Sequence, residues 1–68
     1  MPEVHVYMAA GRTDEQKKGM MLDITRALVD NLAVTPEVVT VQIIEASLAD
    51  KMKNGQTFEE RRAGGTSS

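Results

Sequence analysis

Residues 2–17, PEVHVYMAAGRTDEQK, hold the end of one periodicity and the start of another. Val4, Val6 and Met8 alternate with Glu3, His5 and Tyr7, placing apolar side chains on one face of an extended strand and polar ones on the other. Ala9-Ala10-Gly11-Arg12 breaks that alternation. Thr13-Asp14-Glu15-Gln16 then reads as a capping box, with Thr13 at the N-cap and Gln16 at the third helical position reaching back to it. A helix is expected to start at Asp14, with Asp14 and Glu15 at the positive end of its dipole.

Working outward, Met20, Ile24, Ala27 and Leu28, joined by Met21 and Leu32, form an apolar stripe at three- and four-residue spacing, so the helix is expected to run to about Leu32. Gly19 inside it costs about 1 kcal/mol relative to alanine, and is explained either by a close backbone approach or by tolerance. Thr35-Pro36 marks the helix end. Val39, Val41 and Ile43 then alternate with Thr40 and Gln42, ahead of Ile44 and Glu45, as a second strand. Two strands joined through a helix make a right-handed parallel β-α-β unit. From Asp50 the composition turns polar, with Asn54-Gly55 as a turn signal and Gln56 to Glu59 as one arm of a short hairpin. Residues 1–62 are expected to form a single domain, and residues 63–68 a loose tail.

A chain of 68 residues buries only a modest core. Small scaffolds compensate with disulfides, a metal or self-association; with no cysteine and one histidine, His5, oligomerisation is the expected support. A two-stranded sheet with one helix also leaves a strand edge and a sheet face for neighbours to cover. A net charge of -2 without a basic stripe, and only two aromatic residues, argue against nucleic acid as a partner. No stretch reads as a signal peptide or a membrane span, so a cytoplasmic location is expected and no membrane partner.

Pro2 behind the initiator methionine, the short strand, Gly11-Arg12-Thr13-Asp14-Glu15-Gln16-Lys17, and the later Val39-Thr40-Val41-Gln42-Ile43-Ile44-Glu45 together resemble the 4-oxalocrotonate tautomerase family of the tautomerase superfamily. The resemblance runs without a gap from Pro2 to Glu45 and continues weakly from Gly55 to Arg61. It implies an α+β subunit built on an α/β-type β-α-β unit, with parallel strands and a short C-terminal hairpin. The implied assembly is a homohexamer, a trimer of dimers, with a heterohexamer as the alternative. The implied chemistry is keto-enol proton transfer on a small 2-oxo acid, without metal or cofactor.

In such a family, Pro2 is the general base and Arg12 holds the substrate carboxylate. A proline nitrogen inside a peptide bond has no basic lone pair, so Pro2 can act only once Met1 is removed, which leaves a secondary amine at the chain end. Burial and nearby cations lower the basicity of such an amine toward neutrality. The planar guanidinium of Arg12 suits a bidentate grip on a carboxylate; the plain alternative is a surface pair with Asp14 or Glu15. The best-known family member has a second arginine where this chain has Thr40, whose hydroxyl can donate one hydrogen bond but no charge. A pocket aromatic falls on Lys51 here, and Glu3 replaces an apolar neighbour of the proline. Lys51 and Lys53 are therefore candidates for the missing cation, and Thr40, Lys51 and Lys53 for substrate contacts. The absence of acids at Ala9 and Lys53 argues against the hydrating and dehalogenating relatives. Two other readings stay open: a structural subunit of a tautomerase-fold oligomer, and a small-acid binder without turnover.

Overall fold

The computed structural model describes residues 1–64. Strand β1 spans Glu3–Ala9, helix α1 spans Asp14–Leu32 and strand β2 spans Thr40–Ala46, after a 3₁₀ turn at Pro36–Val38. The alternation that predicts β1 is what the sheet uses: Val4, Val6 and Met8 are half-buried, while Glu3, His5 and Tyr7 are exposed. β1 and β2 pair in parallel, with Val4 opposite Val41, Val6 opposite Ile43 and Met8 opposite Glu45. α1 packs on β2, and from it Lys17 reaches Glu45, which fixes the covered face as that of Val4, Val6 and Met8. The other face carries Glu3, His5 and Tyr7 beside Thr40, Gln42 and Ile44.

The capping box at Thr13 forms in both directions: Gln16 N–H donates to Thr13 Oγ1 at 3.1 Å, and Thr13 N–H donates to Gln16 Oε1 at 3.0 Å. Such caps contribute about 1 kcal/mol each. The helix ends on Ala33, which takes a left-handed φ of 56° so that its N–H can close on Val29 O. Among the described residues, nothing beyond the backbone of α1 itself comes within 4 Å of a Cβ placed on Gly19, so no other segment approaches it there.

The C-terminal segment departs from the sequence expectation. A hairpin does form, with β3 (Met52–Lys53) antiparallel to β4 (Gln56–Thr57) around Asn54-Gly55, where φ is 56° and 80° as an Asn-Gly turn requires. The second arm stops at Thr57, and Phe58–Ala63 is helix α2. The cause is a second capping box, Thr57-Phe58-Glu59-Glu60, in which Glu60 N–H donates to Thr57 Oγ1 and Glu60 Oε1 accepts from Thr57 N–H. Ala63, expected in the tail, closes this helix; residues 65–68 lie outside the described residues.

Among the described residues no side chain is fully buried. The radius of gyration is 15.3 Å, against about 11 Å for a compact globule of this length. One chain thus supplies half a core.

Candidate active site

The residues singled out from the sequence fall at two opposite ends of the sheet. At the start of β1, Pro2 is half-buried and its carbonyl accepts the Thr40 N–H at 3.1 Å, so the parallel ladder fixes Thr40 beside it. Proline suits this first position because no ladder bond needs its missing N–H. Met1 precedes it and is 99% exposed. Glu3 is turned to the outer face, where its carboxylate accepts from His5 Nε2 at 2.7 Å.

At the other end of β1, an open cleft of about 790 Å³ is lined by Met8, Gly11, Arg12, Lys53, Phe58 and Arg62, among others. Gly11 turns the chain there with φ 130°, a conformation suited to glycine. The plain pairing of Arg12 with Asp14 or Glu15 does not occur: Asp14 lies 3.6 Å from Lys17, and Arg12 makes no ion pair among the described residues. Lys17 also pairs with Glu45 at 3.3 Å, so Asp14 and Glu45 share one lysine. Lys53 lines the cleft. Lys51 does not; its ammonium sits 5.7 Å over the Phe58 ring, which keeps it against α2.

The seven-residue span from Pro2 to Ala9 is about 23 Å of extended strand. A general base must lie about 3 Å from the proton it takes. Pro2 and Arg12 of the same chain therefore cannot serve one small molecule, whereas Pro2 and Thr40 share one end, and Arg12 and Lys53 the other. Arg61 and Arg62 also line the cleft, and sequence reading passed over them. The available signal was the Thr57 capping box, which places both on the last turn of a helix. Among the described residues no cluster of His, Asp and Glu could hold a metal ion, and no helix is long and apolar enough to cross a membrane.

Comparison with known proteins agrees with this architecture. Residues 2–60 match the sequence profile of the Tautomerase family, described as tautomerase enzyme. A protein of Bradyrhizobium diazoefficiens named probable tautomerase is 64% identical over 63 residues, covering 93% of this chain and 94% of the relative. The 2-hydroxymuconate tautomerase of Comamonas testosteroni is 42% identical over 43 residues, covering 63% of this chain and 68% of that one. Among solved structures, a 4-oxalocrotonate tautomerase isozyme of Methylibium petroleiphilum superposes with a TM-score of 0.83 at 35% identity, covering 93% of this chain and 98% of that one. With its parallel β-α-β unit and terminal hairpin, the chain belongs to the tautomerase family, among the 4-oxalocrotonate tautomerase-like enzymes.

Proposed function

We propose that this tautomerase moves a proton between the enol and keto forms of a small 2-oxo acid, at sites shared between chains. Pro2, freed of Met1, is the general base; its secondary amine takes the enol proton and returns one to carbon, so the product is an isomer of the substrate. Arg12 of a neighbouring chain holds the carboxylate and steadies the negative charge that develops on the adjacent oxygen. Thr40 stands beside Pro2 as a neutral hydrogen-bond donor to that oxygen. Neither a metal nor an organic cofactor enters this scheme.

The observation that carries the reading is Arg12, without a carboxylate partner among the described residues, on a cleft whose lining includes no acid. The name of the Comamonas relative makes 2-hydroxymuconate the first substrate to try; enolised phenylpyruvate is the second. Both are to be assayed on a preparation shown by intact mass to lack Met1. Pro2→Ala should lower kcat/KM by about 10²–10⁴-fold, the usual worth of a placed general base. Arg12→Ala should raise KM as well as lower kcat. Full activity in Pro2→Ala sinks the assignment.

The alternative is a structural subunit with an impaired pocket, and the uncharged Thr40 next to Pro2 is the observation in its favour. A second small chain copurifying in the oligomer, with activity residing in that chain, would establish it.

A further inference from the structure

The cleft at the Arg12 end carries more positive charge than one carboxylate calls for. Arg12, Lys53 and Arg62 all line it. Like charges so gathered disfavour one another unless an anion sits among them. Arg12, Lys53 and Arg62 make no ion pair among the described residues. Glu60 on α2 is turned back by the capping box, where its Oε1 accepts from the Thr57 N–H at 2.9 Å.

Helix α2, which carries Arg62, is held in position from three directions. The capping box sets the start of α2, Phe58 N–H donates to Lys51 O at 2.8 Å, and α2 packs on the 3₁₀ turn at Leu48–Asp50. The Arg62 Nη1 lies 3.8 Å from where a Cβ on Gly11 would be, an ordinary van der Waals distance, so the guanidinium sits against the turn that presents Arg12.

We propose that Arg62, assisted by Lys53, is a second carboxylate-binding residue of this cleft, and that it sets a preference for acids with a carboxylate at each end. Arg12 holds one carboxylate and Arg62 the other, so α2 provides the charge that Thr40 does not. The proposal rests on the reading of the cleft as the carboxylate end of a 2-oxo-acid site.

The test compares two unreactive six-carbon dienes by calorimetry on the processed full chain: cis,cis-muconate, with two carboxylates, and sorbate, with one. Muconate should bind about 10-fold more tightly than sorbate, the size of one charge-assisted pair. Arg62→Gln should bring muconate to the sorbate level while leaving sorbate unchanged, and Arg62→Lys should restore part of the difference. Equal binding of the two acids, no binding of muconate, or an Arg62→Gln variant that leaves their ratio unaltered or weakens both alike overturns the proposal. A muconate preference lost in Arg62→Gln, without 2-hydroxymuconate turnover by the unaltered chain, removes the tautomerase reading but not the two-anion cleft. Turnover with no muconate preference does the reverse.

Discussion

Pro2 illustrates how one covalent bond decides chemistry at the residue scale. While Met1 remains, the Pro2 nitrogen is an amide without a basic lone pair. Met1 itself is almost fully exposed, accessible to a processing aminopeptidase. A preparation whose intact mass retains the methionine should turn over the proposed substrates at least about 10²-fold more slowly than a trimmed one, and trimming in vitro should restore the rate. Gly11 offers a second test. Its φ of 130° makes Gly11→Ala costly by about 1–3 kcal/mol, visible as a lowered Tm with Arg12 substrate binding weakened in parallel. The Gly11-Arg12 pair was legible in the sequence because its spacing from Pro2 and from the capping box is local. Arg62 was not, because its place depends on Phe58 bonding to Lys51 and on α2 docking against a turn that has no periodic signal.

The individual elements show where local sequence is sufficient. The bounds of α1 follow from the Thr13 box and the apolar stripe, and the strands follow from alternation. α2 escaped because it is six residues long, carries little apolar periodicity and lies in a polar segment, although Thr57-Phe58-Glu59-Glu60 has the same start signal as Thr13 to Gln16. Two substitutions in and after α1 have opposite logic. Ala33→Gly relieves a left-handed residue with a side chain and should raise stability by about 0.5–1 kcal/mol in a thermal melt. Gly19→Ala should gain a similar amount, since nothing among the described residues meets the added methyl. A Gly19→Ala variant that instead loses stability together with its oligomeric state would place a neighbouring chain against that face.

At the scale of the molecule, an elongated chain with extents of 45 × 20 × 16 Å and no fully buried side chain among the described residues cannot draw its stability from itself. Tyr7, Leu22, Leu32 and Met52 remain more than half exposed, and among the described residues each strand of the β1–β2 pair keeps a free edge. Assembly into a hexamer is the proposed remedy. Folding and association should then be one process: Tm should rise with protein concentration, and dilution should abolish structure and activity together. A Tm independent of concentration, with a monomer by light scattering, would contradict this. Composition already pointed to a partner surface, but which faces stay bare is readable only once α1 is seen to cover a single side of the sheet.

The separation of Pro2 and Arg12 by the full length of β1 has a genetic consequence. If every site borrows its base from one chain and its anchor from another, two dead variants need not make a dead mixture. Pro2→Ala and Arg12→Ala chains, unfolded together in equal amounts and refolded, should complement each other. Roughly a quarter of the sites would by chance receive both intact residues, whereas a site confined to one chain would receive none.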